Sequence, residues 1–237
     1  MTLKISKDKI GVAKEFADYL AALIDSNQTV HIALSGGSTP KIVFDEVAQN
    51  HGHLVDWEKV QFYWGDERCV QPSDMESNFR MAQTHLFSKI DIPEANIYRI
   101  RGEDEPSKEA LRYARVLENT LPIANGLPQF DLVILGLGDD GHTASIFPDE
   151  IDLWYSKNYC EVAAHPDSGQ RRITITGGVI NNAKTVAFLV TGANKSGKVR
   201  QILQRESGYE QLPAGLVAPN SGSLLWFMDS DAAKDIT

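Results

Sequence analysis

Short apolar segments alternate with longer segments of helical periodicity along the chain, and this alternation restricts the fold more than any other feature. Apolar residues recur at helical spacing from Lys7 to Ser26, and the next apolar segment, Val30–Leu34, is short and stops at Ser-Gly-Gly. The same pattern predicts later helices over about Pro40–Gln49, Ser77–Phe87 and Ser107–Asn119, a short helix ending at Asn182, and a helix over Lys195–Gln204. Further strands are predicted over Val60–Trp64, near Ile97, over Phe130–Leu135, near Tyr159–Ala164, and over Arg172–Ile175, Thr185–Val190 and Leu224–Met228.

Strands separated by helices indicate an α/β fold, because a helix that connects two parallel strands crosses over one face of the sheet. We therefore expect a mostly parallel sheet covered by helices on both faces. The chain has 237 residues, of which 42% are hydrophobic, and it has no linker rich in proline or glycine, so residues 1–237 are expected to form a single domain. Ligands of such sheets bind beyond the carboxyl ends of the strands.

Charge and composition exclude several classes of partner. The net charge of -9 repels polyanions and the lysines and arginines form no long cluster, so nucleic acid is not expected as a partner. No apolar run approaches the roughly 18 residues that span a membrane, and the first residues lack the apolar centre of a signal peptide, so we expect a cytoplasmic protein without membrane contact. Cys69 and Cys160 stand far apart, and His51 and His53 lack a third ligand at a recognisable spacing, so no metal site is predicted.

Four segments that directly follow predicted strands carry most of the informative polar residues. The first is Ser35-Gly36-Gly37-Ser38-Thr39-Pro40, which joins a strand to a helix that Ser38 or Thr39 is expected to cap. Its glycines allow backbone N–H groups to converge at a helix N-terminus, an arrangement suited to phosphate, although an ordinary tight turn is an equal alternative.

The second segment, Gly65-Asp66-Glu67-Arg68, places two carboxylates and a guanidinium at a strand end. Arg68 is the stronger candidate for ligand contact, because its planar guanidinium binds phosphate or carboxylate through two parallel hydrogen bonds. A solvated loop is the alternative interpretation.

The third segment, Gly136–His142, matches the dinucleotide pattern G-x-G-x-x-G, but Asp139 and Asp140 would put negative charge where a pyrophosphate should lie. We interpret it instead as a glycine-rich turn that presents His142, a candidate general base whose tautomer a neighbouring aspartate could determine. The fourth segment, Gly192–Lys198, fits a P-loop except that Val199 replaces the serine or threonine that binds magnesium. Phosphate contact by Lys195 or Lys198 is therefore the prediction, and a basic helix start on the surface is the alternative.

Five motifs follow one another along the chain. They are Ala33–Pro40, Trp64–Arg68 followed by Ser77-Asn78, Leu135–Pro148, Arg172–Thr174 and Thr191–Lys195. Read together, they resemble the motifs of the 6-phosphogluconolactonases, which belong to the wider glucosamine-6-phosphate isomerase/lactonase superfamily. The resemblance runs from Leu34 to about Trp226, and several motifs in order are far more specific than one.

The resemblance implies hydrolysis of 6-phospho-D-glucono-1,5-lactone to 6-phospho-D-gluconate, in the oxidative pentose phosphate pathway, on a modified Rossmann-like sheet. It implies a small phosphorylated sugar lactone as the partner, no cofactor and no metal. It does not indicate which oligomeric state the protein adopts. His142 would activate water with help from Asp140. The implied substrate-binding set is Gly36, Gly37, Ser38, Asp66, Arg68, Arg172 and Lys195, in which Arg68, Lys195 and the amides of Gly37 and Ser38 hold the phosphate.

One departure from the family pattern precedes the Arg-Ile-Thr motif. The family often has a proline pair there, whereas this chain has Ser168-Gly169-Gln170-Arg171. Whether Arg171 or Arg172 faces the ligand therefore stays open at the level of sequence.

Two other functions remain as alternatives, a sugar-phosphate deaminase/isomerase of the same superfamily and a non-catalytic sugar-phosphate sensor. The deaminases place an additional glutamate a few residues after the histidine. Here residues 143–148 contain no carboxylate, and Asp149 follows a proline that redirects the chain. The sequence therefore favours the hydrolase.

Overall fold

A computed structural model describes residues 1–236 and contains six α-helices and eleven strands in that part of the chain. The helices are α1 (Lys9–Asp25), α2 (Ser38–Asn50), α3 (Asn78–His85), α4 (Pro106–Thr120), α5 (Gly177–Asn181) and α6 (Ser196–Leu203). The strands are β1 (Thr2–Ser6), β2 (Val30–Leu34), β3 (Val60–Trp64), β4 (Asp66–Arg68), β5 (Ile123–Ala124), β6 (Leu127–Pro128), β7 (Leu132–Leu135), β8 (Cys160–Ala164), β9 (Arg171–Ile175), β10 (Thr185–Val190) and β11 (Ser223–Asp229).

Six parallel strands form the central sheet in the order β1-β11-β10-β7-β2-β3. The predicted α/β class with a mostly parallel sheet is thereby confirmed. The direction of winding reverses between β2 and β7, because β3 lies on one side of β2 while β10 and β11 extend beyond β7 on the other. The carboxyl ends of β3, β2, β7 and β10 are therefore neighbours at the switch point where α/β sheets bind ligands.

Apolar side chains on strands and helices build the core around this sheet. All four residues of β7 are buried, and α1 buries Val12, Phe16, Leu20 and Ile24, which recur every four residues along one face. Burial of each such large side chain contributes roughly 1.5–3 kcal/mol. Asp8 starts α1, since its carboxylate accepts hydrogen bonds from the first free backbone amides of the helix.

A second sheet of three antiparallel strands, β4-β9-β8, corrects two expectations. The segment after β3, expected to be a loop, is strand β4. The predicted strand that corresponds to β9 pairs with β4, and the one that corresponds to β8 pairs with β9, so neither joins the central sheet. The chain passes from the central sheet to the second sheet at Gly65, because the N–H of Gly65 donates to Leu34 of β2 while its carbonyl accepts from Ile175 of β9. This pairing joins residues about a hundred positions apart, which local periodicity does not encode.

Four smaller differences concern the ends and connections of elements. Residues Thr2–Ser6 form an edge strand beside β11 that was not predicted, and the first helix begins at Lys9 rather than Lys7. Ile97 forms only an isolated bridge with Phe62, and the short pair β5–β6 was not predicted. The other boundaries differ from the predictions by at most two residues. Within residues 1–236 no helix is long and apolar enough to cross a membrane.

Candidate active site

A cavity of about 310 Å³ opens at the carboxyl ends of β2, β3, β7 and β10. The structure brings together there every residue of the implied catalytic and substrate-binding set except Asp140, which stands beside the lining residue His142. Glu67 and Lys198, the other candidates from these segments, do not line the cavity. Residues from five separated segments thus meet in one place: four of the segments follow neighbouring strands of the central sheet, and Arg172 comes from β9 of the second sheet.

The turn between β2 and α2 forms one wall of the cavity. Gly37 has a φ of 109°, a conformation that favours glycine, and α2 begins at the next residue. The predicted cap by Ser38 or Thr39 is wrong, since no side chain caps this helix and the Thr39 hydroxyl instead lies 2.8 Å from the hydroxyl of Thr191. The first amides of α2 consequently have no side-chain acceptor of their own, as an anion site at a helix N-terminus requires.

His142 and Asp140 form a hydrogen-bonded pair at the end of β7. Oδ1 of Asp140 lies 2.7 Å from Nδ1 of the ring and also accepts a hydrogen bond from the backbone N–H of His142 at 3.0 Å. Such a bond to the backbone two residues ahead is common for aspartate, and Gly141, with a φ of 95°, allows the turn between them. Burial opposes ionisation of Asp140, but the hydrogen bonds and charge of His142 outweigh it and lower the pKa of Asp140 to about 2.

An ionised carboxylate only accepts hydrogen bonds, so the proton between the two groups belongs to Nδ1 of His142. The other ring nitrogen, Nε2, is then unprotonated in the neutral ring and has no hydrogen-bond partner among residues 1–236. The pair therefore presents a basic nitrogen on a residue that lines the cavity.

Two neighbours hold this pair in place. A Cβ atom at Gly138 would overlap both the His142 ring and the Asp140 carboxylate, so the approach of the loop to its own side chains requires glycine. On the other side, the buried ring of Phe147 packs against the His142 ring with centroids 4.7 Å apart. The same phenyl ring lies under the guanidinium of Arg172, 5.5 Å from its centroid.

Two arginines, one on β4 and one on β9, supply positive charge on paired strands. Arg68 is paired with Arg172 across the antiparallel register. Arg68 donates to the carbonyl of Glu76, and Arg172 makes only a long 3.4 Å contact with the Ser145 hydroxyl, while the Nε atoms of both lack a partner within the described residues. Burial, and then the charge of Arg68, lowers the pKa of Arg172. Arg172 lines the cavity, whereas Arg171 is exposed and is not among the lining residues.

Asp66 also lines the cavity, but both of its carboxylate oxygens already have partners. The hydroxyl of Ser145 donates to Oδ2 at 2.6 Å, and the amide of Asn78 contacts Oδ1 at 3.4 Å and donates to the Asp66 carbonyl at 2.9 Å. The same amide packs so closely against Gly36 that a Cβ there would overlap it. Asp66 thus joins β4, the segment that follows β7 and helix α3 in one buried network.

Sequence reasoning assigns no role to Ser145 or Asn78, although both lie inside the motif segments. Their partners are at least 12 positions away, so spacing could not reveal the contacts. Glu67 is a different case, since its buried carboxylate accepts from Ser77 and from the first amides of α3, and it serves the fold rather than the cavity.

Lys195 reaches the cavity from the segment after β10. Its Nζ atom lies 2.6 Å from Oδ1 of Asp139, in the loop that carries His142. The site thus combines a basic imidazole, two incompletely paired guanidiniums, a paired lysine and a free helix N-terminus, a set that can bind a phosphorylated compound and accept a proton. Within residues 1–236 no three His, Cys, Asp or Glu side chains are grouped so that they could hold a metal ion.

Comparisons with known proteins give a consistent result. Residues 9–226 match the family described as glucosamine-6-phosphate isomerases/6-phosphogluconolactonase. A 6-phosphogluconolactonase of Treponema pallidum is 40% identical over 89% of each chain, and one of Haemophilus influenzae is 41% identical over 98% of this chain and 96% of the relative. The solved structure of 6-phosphogluconolactonase from Trypanosoma brucei superposes with a TM-score of 0.88 at 27% identity, covering 100% of this chain and 98% of that one.

Proposed function

The chain belongs to the family of glucosamine-6-phosphate isomerases and 6-phosphogluconolactonases, and we propose that its cavity hydrolyses 6-phospho-D-glucono-1,5-lactone to 6-phospho-D-gluconate, with His142 as the base. One observation supports this most strongly. A single cavity is lined by Arg68, Arg172 and Lys195 and by His142, whose ring is hydrogen-bonded to the carboxylate of Asp140. The reaction is a step of the oxidative pentose phosphate pathway.

In the proposed mechanism Nε2 of His142 takes a proton from water as the water oxygen attacks the lactone carbonyl. The carbonyl oxygen becomes an oxyanion, which re-forms the double bond as the ring C–O bond breaks, and the imidazolium returns the proton to the departing alkoxide. Asp140 stabilises the imidazolium through Nδ1. A lactone is an activated ester, and a positioned base contributes typically about 10²- to 10⁴-fold in rate.

The three cations and the first amides of α2 bind the phosphate in this proposal. A dianion satisfies the unused donors of Arg68 and Arg172 and fits the positive end of the helix dipole. Binding at the phosphate fixes the distance between the lactone carbon and His142, and orientation of this kind lowers the barrier further. Asp66, whose oxygens are occupied by Ser145 and Asn78, keeps β4 and its arginine in place.

The position of the carboxylates favours hydrolysis over isomerisation. The carboxylates among the described lining residues are Asp66 and Asp139, and both are engaged. Asp149 does not line the cavity, and Glu150 accepts the N–H of Ala164 in β8. A sugar isomerase needs a second acid–base group to move a proton between adjacent carbons, and no free carboxylate supplies it in the part of the chain described.

The test compares two substrates of the family with the same purified protein. Acid release from 6-phosphogluconolactone is followed above its spontaneous hydrolysis, and ammonia release from glucosamine 6-phosphate is followed in parallel. We expect rapid lactone turnover and no measurable ammonia. Ammonia and fructose 6-phosphate formed at a rate comparable to lactone hydrolysis would overturn the assignment, and binding of both sugar phosphates without turnover of either would make the protein a sensor.

A further inference from the structure

The cation of Lys195 is already paired inside the cavity. Its Nζ atom lies 2.6 Å from Oδ1 of Asp139, and the side-chain amide of Asn194 donates to the same oxygen at 2.7 Å. Asp139 precedes Asp140 in the loop after β7, whereas Asn194 and Lys195 follow β10. The Asp139 carboxylate therefore joins the segment after β7, which carries His142, to the segment after β10, which carries Lys195.

The carboxylate of Asp139 is the more exposed partner of the pair. Its side chain is 71% exposed, compared with 20% for Lys195, and no backbone N–H donates to it. The hydrogen bond from Lys195 lowers the pKa of Asp139, so the group is anionic at neutral pH. An arriving phosphate dianion therefore meets a lysine whose positive charge is already balanced by the Asp139 carboxylate, and that carboxylate repels the phosphate.

We propose that Asp139 is an internal competitor for Lys195: its carboxylate pairs with the lysine and must give it up when a phosphorylated ligand binds. This inference rests on the proposed function, which assigns Lys195 to the phosphate. Asp139 thereby sets the affinity of the site for phosphorylated compounds, although it touches no reacting atom.

The competition acts most strongly on the product. Ring opening adds a carboxylate to the phosphate, so 6-phosphogluconate carries one more negative charge than the lactone. A neighbouring anion that can reclaim Lys195 favours departure of the more highly charged molecule. Asp139 therefore weakens product binding and limits product inhibition.

The substitution Asp139→Asn tests the proposal, because the amide keeps an oxygen acceptor for Lys195 and removes the charge. Calorimetry is expected to show about two- to fivefold tighter binding of 6-phosphogluconate, the range for loss of one exposed ion pair, and little change for gluconate. The gain should shrink at high salt, which screens exposed charges. Asp25→Asn, an exposed change in α1, removes the same charge far from the cavity and should leave both affinities unchanged.

Lys195→Met provides the second half of the test. Competition for the lysine requires that the gain from Asp139→Asn disappear when Lys195 is absent, so the double variant should bind 6-phosphogluconate like Lys195→Met alone. Unchanged or weaker binding by Asp139→Asn, or a gain that persists in the double variant, would overturn the competition while Lys195→Met still loses phosphate affinity. If Lys195→Met binds both ligands as the wild type does, the assignment of Lys195 to the phosphate fails, and the competition with it.

Discussion

The Nδ1 atom of His142 lies 2.7 Å from Oδ1 of Asp140, and the same carboxylate oxygen also accepts the backbone N–H of His142. Two donors from one residue converge on one acceptor, which fixes both the ring and the turn that carries it. This relationship assigns the proton to Nδ1 and leaves Nε2 as the acceptor for a water molecule.

Asp140→Asn should lower kcat by about ten- to a hundredfold with a small change in KM, because the neutral amide no longer stabilises the imidazolium formed during attack. Steady-state kinetics on the lactone measures both constants. Asp149→Asn removes a charge from the same region outside the cavity and serves as the control. A fall confined to KM would show that Asp140 acts on binding.

Gly138→Ala should reduce kcat strongly while the protein stays folded. The new methyl group would occupy the space of the His142 ring and the Asp140 carboxylate, so the pair must separate. Circular dichroism and the lactonase assay, applied together, check both halves of the prediction. Gly197→Ala adds the same methyl group in α6, where nothing lies within 4 Å of it, and should keep full activity. Equal activity of the two variants would contradict the packing argument.

Arg68→Ala should weaken binding of 6-phosphogluconate by about ten- to a hundredfold and that of gluconate much less, since a charge-assisted hydrogen bond is worth roughly 1.5–3 kcal/mol. Arg68→Lys should recover part of the loss, because it restores the charge without the planar pair of donors. Calorimetry with both ligands gives the comparison. Equal losses for the two ligands would remove Arg68 from the phosphate site.

Asp131→Asn should destabilise the protein in a pH-dependent way. The buried carboxylate of Asp131 accepts hydrogen bonds from His31 and Lys184, and although burial opposes ionisation, these partners lower its pKa. A carboxyl group whose pKa is lower in the folded state stabilises that state above its unfolded pKa of about 3.9, and this stabilisation is lost as pH falls through the folded value. Urea denaturation should show wild type more stable by about 1–3 kcal/mol at pH 7, with a smaller difference below pH 4. A difference that does not change with pH would contradict the assignment.

The strand-end rule explains why much of the candidate site could be predicted from sequence. Each of the four segments follows a strand, and parallel strands present their carboxyl ends at one edge, so the motifs had to meet once the strands became neighbours. The alternation of helices and strands, which places each segment at a strand end, is visible in the local sequence pattern.

Long-range pairing explains what sequence could not predict. The second sheet depends on β4 meeting β9, and the contacts of Asp66 with Ser145 and Asn78 depend on that sheet. The pairing of Lys195 with Asp139 likewise joins loops from two strands. None of these contacts repeats with the period of a helix or strand, so only the folded chain reveals them.

The most direct test of the account is the turnover number of His142→Asn with 6-phosphogluconolactone, corrected for spontaneous hydrolysis and measured beside calorimetry with 6-phosphogluconate. Asparagine cannot accept the proton of the attacking water, so we expect kcat to fall at least about a hundredfold while product affinity stays near that of the wild type. Turnover close to the wild-type value, with the fold and product binding intact, would contradict the account and show that His142 is not the base.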